Sequence, residues 1–266
     1  VRNDGGNIVS SFFGAVSRTW IDGIGAIASN GWTAAFVFIV LIVSQKINPS
    51  SSVMSIAGQH SVGQVGSFDV GYHQIVSNIL TTMIMAAWSG HVIRYSIFRE
   101  PMPFLTRLFD RTFFRYMGVL IFSGISMVLV TGVLVAVCYG AGKILFHESR
   151  VAMLYMLLVG LCAILVVWYM FSRLILMFVQ AAIGEPFNWR AAWRGSRGQI
   201  FSYSCIYTVA SLPLLPIVIL NNSLISSIDQ ARLHYLDAFL MSLLGFWLPT
   251  VFATSAACLY SRVHSN

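Results

Sequence analysis

Residues 184–200, GEPFNWRAAWRGSRGQI, lie between two long apolar runs and carry Arg190, Arg194 and Arg197. Pro186 suits the first turn of a helix, where its missing N–H costs nothing. From there Trp189, Trp193 and Ile200 fall on one helical stripe, and Arg190, Arg194 and Arg197 on another about 100° around the axis. Such a helix lies flat in a membrane interface, with tryptophans at headgroup depth and arginines toward anionic phosphates. The runs on either side of it are then membrane spans. The chain reads as apolar hairpins hung from interfacial helices of this kind.

Composition supports that reading. The chain has 266 residues, of which 57% are hydrophobic and only 9% charged, whereas soluble domains carry roughly 25% charged residues. The formal net charge of +7 comes from basic residues clustered in short segments beside apolar runs. That is a membrane-surface pattern, and no basic motif with a nucleic-acid docking geometry occurs, so no nucleic-acid partner is expected. The first apolar segment is amphipathic and no small-residue site follows a basic stretch, so no cleaved leader is expected.

In chain order, an amphipathic segment at 8–29 places Phe13, Val16, Trp20, Ile24 and Ile27 on one stripe and Ser11, Arg18, Asp22 and Ser29 on another. Spans follow at about 32–47, 70–93, 113–140, 151–180, 200–221 and 238–260, with interfacial helices at about 8–29, 101–112 and 186–198. The connector at 94–112 holds Arg94, Arg99, Arg107 and Arg111, and Pro213, Pro216 and Pro249 lie inside the last two spans, where prolines usually kink a helix. The expected fold is an all-α integral membrane domain, a bundle of six transmembrane helices with amphipathic interfacial helices on the cytoplasmic side. With both termini cytoplasmic, twelve of the sixteen Lys and Arg lie inside and Lys46, Lys143, Arg150 and Arg232 outside, which satisfies the positive-inside rule. The unit of interfacial helix, span out and span back occurs three times, and two copies open with Glu-Pro at Glu100-Pro101 and Glu185-Pro186.

Arg173, Glu185, Ala192-Trp193, Ser196-Arg197-Gly198 and a last span ending near Tyr260 resemble a bacterial family of uncharacterised six-helix membrane proteins. That family also supplies the membrane domain fused to some glycerophosphodiester phosphodiesterases. The motif Glu-x6-Ala-Trp-x2-Ser-Arg-Gly carries the resemblance; where the family often has a proline, this chain has Gln180-Ala181-Ala182. The resemblance implies an inner-membrane helical bundle and no particular reaction.

Motifs for chemistry are sparse. Gly23 to Ala28 matches a loose dinucleotide fingerprint, but no strand or βαβ unit surrounds it. His73 and His91 are five helical turns apart, about 27 Å along the axis, too far to share a metal or haem. Cys138, Cys162, Cys205 and Cys258 fit neither a zinc site nor a disulfide framework and read as small buried apolar residues. His234 and Asp237 stand at i and i+3, a proximity that a general acid–base pair needs and that an ordinary interfacial hydrogen bond, the preferred reading, needs as well. No nucleophile elbow, HExxH or P-loop occurs, so no catalytic residue, cofactor or metal is expected. Arg173 is expected to snorkel or to pair with Glu185, and no Asp or Glu falls mid-span as ion-coupled carriers require.

The expected function is therefore non-catalytic, as an accessory, scaffold or assembly subunit of a larger membrane complex. Its partners would be membrane lipids and other membrane-protein subunits. Candidate headgroup contacts are Arg107, Arg111, Trp189, Arg190, Trp193, Arg194 and Arg197. Gly132, Ala136 and Gly140 offer a small-residue face for helix packing. The alternative is a transporter or channel for lipids or small hydrophobic solutes, with the proline-bearing fifth and sixth spans as its moving part.

Overall fold

The computed structural model describes residues 5–47, 72–99, 110–145, 149–186, 188–225 and 230–265, and these are helical with no strand. In a bilayer each backbone N–H and C=O must be satisfied within its own segment, and an apolar helix does this without partners. Among the described residues, five helical stretches are long and apolar enough to cross a membrane, at 75–98, 111–137, 158–183, 201–220 and 235–264. A sixth is counted if the first two helices form one broken span.

The chain divides into two compact units, one of residues 1–108 and 206–258, the other of 109–205 and 259–266. In the first unit, α1 (Gly5–Ser29) and α2 (Gly31–Ile47) meet at Asn30 with a bend of 96°. The expected interfacial segment at 8–29 and the expected span at 32–47 correspond to these two helices. The orientation of α1 differs from the expected one. Its buried face is Ala15, Thr19, Asp22 and Ala26, while Phe13, Ile21 and Ile24 point outward. Asp22, on the polar stripe, thus faces protein. The reason is fit: a Cβ on Gly23 would stand 3.3 Å from Thr250 Cγ2, and one on Gly25 3.0 Å from Tyr95 Oη. Small residues let α1 lie close to its neighbours, the usual basis of packing in lipid, where apolar side chains gain little by leaving the surface.

Helix α3 spans Tyr72–Phe98 and so continues beyond the expected end at residue 93. Arg94 therefore lies in the helix rather than in a connector. The end comes at Arg99, whose φ of 58° is left-handed and whose N–H donates to Tyr95 O at 2.8 Å, a C-terminal cap usually made by glycine. Along α3, polar contacts recur: Ser77 and Thr81 reach Ser44 Oγ at 3.1 and 2.7 Å, and His91 Nε2 lies 3.0 Å from Asn30 Nδ2. At its end Arg99 Nη2 stands 2.6 Å from Asp22 Oδ1. Trp88 is fully buried; its indole N–H donates to Thr250 Oγ1 at 2.9 Å and its ring stacks on Phe246.

The expected fifth span is broken. It consists of α7 (Ile200–Ser211), a 3-10 turn at Leu212–Leu214 and α8 (Leu215–Ile225), with Pro213 and Pro216 at the interruption. Each proline removes an N–H and crowds the preceding turn. Pro249, by contrast, sits inside the unbroken α9 (Gln230–Ser265). Trp20 caps a freed carbonyl near the first break, its Nε1 donating to Ala210 O at 3.1 Å.

The second unit is built on a hairpin of α4 (Arg111–Leu145) and α5 (Ser149–Ile183), with α6 (Trp189–Gly195) packed on α5. Helix α4 begins two residues before the expected span because Asp110 caps it, its Oδ1 accepting the Arg111 N–H at 2.6 Å. Its buried seam is Phe113, Tyr116, Val119 and Ser123; Phe122, Ile125, Val128, Leu129, Val133 and Val137 face outward. That distribution suits a helix whose outer side meets lipid or another protein.

Candidate functional site: an arginine clamp

The motif residues gather at the end of α5. Residues 175–179 of α5 are buried all round, which holds this end of the helix rigidly. Just before them Arg173 is itself buried. Its guanidinium lies between two rings, 5.3 Å from the centre of Tyr169 and 5.2 Å from that of Trp193. Its Nε and Nη2 donate to the Tyr169 hydroxyl at 3.2 and 3.0 Å. Its Nη1 donates to Trp193 O at 3.0 Å and approaches Ser196 Oγ at 3.5 Å.

No carboxylate pairs with Arg173 among the described residues. A weakly hydrated planar cation is well served by two aromatic faces, a carbonyl and hydroxyls instead. The expected pairing of Arg173 with Glu185 is therefore not made. Glu185 Oε1 accepts the Tyr260 hydroxyl at 2.5 Å, and Tyr260 stacks on His264. Opposite charge alone did not decide the pairing, because the rings and the α6 carbonyl fill the space around Arg173.

The clamp fixes α6. Asn188 caps it, its side chain accepting the Ala191 N–H at 3.1 Å. Ala192 is buried, and a Cβ on Gly195 would lie 3.4 Å from Leu176 and 3.5 Å from Val263. The helix covers only seven residues, shorter than the expected 186–198. Ser196–Gln199 form turns beyond it, and Gly198 takes a φ of 84°.

Of the expected headgroup residues, Arg111, Trp189, Arg190, Arg194 and Arg197 are exposed, and the Arg190 guanidinium lies 5.9 Å over the Trp189 ring. Trp193 is half-buried and turned onto Arg173, so the two tryptophans of the expected stripe have different tasks. Arg107 lies outside the described residues. Gly132, Ala136 and Gly140 are exposed, and a Cβ on either glycine would meet nothing within 4 Å. Among the described residues no helix of the chain packs on that face.

Cys162 is exposed rather than buried, and Cys205 and Cys258 are half-buried. The side chains of Cys138, His73 and His234 lie outside the described residues. Tyr169 carries no expectation from the sequence, and Tyr260 enters there only as the end of the last span. The Tyr169–Arg173 spacing of i, i+4 is a legible signal, whereas Tyr260 stands 75 residues from Glu185. Comparison of the chain with family models, curated proteins and solved structures returns no match.

Proposed function

We propose that the chain is a non-catalytic, multi-pass protein of the bacterial inner membrane that serves as an accessory or assembly subunit of a larger complex. In this reading both termini are cytoplasmic, and the protein is kin to the six-helix family that its Arg173 to Gly198 motif resembles. The observation that supports it best is the outer face of α4, where Gly132, Ala136 and Gly140 are open and unfilled between exposed Val128, Val133 and Val137. Small residues at every fourth position let a second helix approach to backbone distance. Arg190, Arg194, Arg197 and Trp189 then meet anionic headgroups at the other end of the hairpin, where Arg115 reaches Gly184.

Purification in a mild detergent, followed by mass spectrometry of what co-migrates, tests this. A stoichiometric protein partner that is lost on Gly132→Leu with Ala136→Leu is the expected result. A chain that runs alone, or a partner indifferent to the double substitution, sinks it. A separate check is charge reversal at Arg190, Arg194 and Arg197, which should weaken binding to anionic vesicles.

A second reading, a transporter of lipids or small hydrophobic solutes, is favoured by two observations. The 96° break at Asn30 and the buried Asp22 beside Arg99 lie in apolar helices, and interrupted helices with an ionisable residue are where carriers bind and move cargo. Flux in liposomes that Asp22→Asn abolishes would support it, and an absence of flux would reject it.

A further inference from the structure

The ends of α4 and α5 leave a groove of about 300 Å³ between them, lined by Arg115, Gly118, Val119, Phe122, Ala181 and Glu185. Its floor is apolar and small: Val119 and Ala181 are buried, and above Gly118 a Cβ would meet nothing within 4 Å. Phe122, 61% exposed, forms a wall, and Ile125 and Leu129 continue its stripe outward along α4.

The mouth carries one charge of each sign. Arg115 Nη1 donates to Gly184 O at 3.0 Å; its Nε and Nη2 make no hydrogen bond among the described residues, and the side chain is exposed. Glu185 Oε1 is held by the Tyr260 hydroxyl at 2.5 Å, and Oε2 has no partner among the described residues. The two side chains line the same groove without pairing with one another. Each is tethered separately, Arg115 by a main-chain carbonyl and Glu185 by a phenol.

An unpaired cation and anion above an apolar cleft, at the ends of two membrane-crossing helices, are complementary to a zwitterion with a hydrocarbon tail. We propose that this groove binds one phospholipid with a primary-ammonium headgroup, of the phosphatidylethanolamine class. The phosphate lies on the open Nε and Nη2 edge of Arg115, a fork that matches two phosphate oxygens. The ammonium donates to Glu185 Oε2. The first part of one acyl chain fills the cleft over Gly118 and Ala181, and the rest follows Phe122, Ile125 and Leu129 along α4. A choline headgroup has no N–H to give to Glu185, and a glycerol headgroup has no cation for it. This goes beyond the accessory-subunit reading and holds whether or not a protein partner is found.

The test uses the full chain, stripped of lipid in detergent, exposed to an equimolar mixture of phosphatidylethanolamine, phosphatidylcholine and phosphatidylglycerol, and read by native mass spectrometry. The wild type should retain phosphatidylethanolamine over each of the others by at least about fivefold. Glu185→Gln keeps an acceptor for Tyr260 and loses the charge, so it should bring ethanolamine and choline lipids to within about twofold. Arg115→Gln should lower retention of both. Equal retention of the three lipids, a preference for phosphatidylglycerol, or an Glu185→Gln variant with an unchanged preference each overturns the proposal. The headgroup ranking is measured on the wild type, so a variant that fails to fold leaves it decisive.

Discussion

At Arg173 the requirement is for shape as much as for charge. The guanidinium fills a slot between Tyr169 and Trp193 and bonds to Trp193 O. A lysine keeps the charge but offers neither the fork nor the flat face. Arg173→Lys is therefore expected to lose most of what Arg173→Met loses, about 2 kcal/mol in each case. Thermal unfolding in detergent measures the loss, and faster tryptic cleavage at Arg190 and Arg194 reports release of α6. A lysine variant as stable as wild type would show that charge alone suffices. Gly184 makes a second case: its φ is 84°, and a Cβ there would stand 3.1 Å from Thr112 Cγ2. Gly184→Ala should cost about 1–2 kcal/mol in the same melt. Gly198 has the same φ with open space around it, so Gly198→Ala should cost the smaller part of that range. The motif residues were legible as a group only through the family resemblance that Glu-x6-Ala-Trp-x2-Ser-Arg-Gly carries. Their true pairing was not, since Tyr260 reaches Glu185 only through the fold.

Helix α1 shows what hydropathy reads well and what it does not. Its length and periodicity were plain in the sequence, and so was its junction with α2 near Asn30. Its two stripes suit an interfacial helix, with the polar one toward headgroups rather than toward protein. In lipid the rule inverts, and small or hydrogen-bonding side chains such as Thr19, Asp22 and Gly23 turn toward other helices. The same inversion hid the last turn of α3, because Arg94 and Arg99 look like a connector until Asp22 is seen beside Arg99. This gives a paired test. Gly23→Leu drives a side chain into Thr250 and is expected to cost about 2 kcal/mol or more. Gly14→Leu, on the open side of the same helix, should change stability by no more than about 0.5 kcal/mol. Equal effects in the two melts would mean that α1 does not pack by its small face.

For the molecule as a whole, the topology turns on the bend at Asn30. Five helices suffice to cross a membrane, and the bent pair of α1 and α2 either adds a sixth crossing or turns back. With the basic residues of 184–200 inside, five crossings put the two termini on opposite sides, and six put them on the same side. Arg2 and Arg18 favour the inside for the start of the chain. Single cysteines placed at Ser11 and at Ser265 in a cysteine-free background, in sealed cells, are both expected to react with an impermeant maleimide only after permeabilisation. Labelling of the Ser11 position in intact cells would make α1 and α2 a re-entrant pair. Composition and charge bias carried the membrane class and the number of apolar segments this far, because both are sums over many residues. A flat interfacial α1 followed by a spanning α2 already implies a sharp bend near Asn30; the contact of Asn30 with His91 at that bend was not legible, because it joins residues far apart in the chain.

The placement of the tryptophans has an optical consequence. Trp88 is shut away completely, bonded and stacked, while Trp32 on α2 is 92% exposed. Bromine atoms carried on lipid tails will dim the emission of outward indoles and leave that of Trp88 lit. The protein thus contains its own light source at the centre of its first unit. Trp20, Trp193 and Trp247 are half-buried and add to the unquenched emission, so the part of it that Trp88→Phe removes will report whether the pairing of Trp88 with Thr250 survives in a given bilayer.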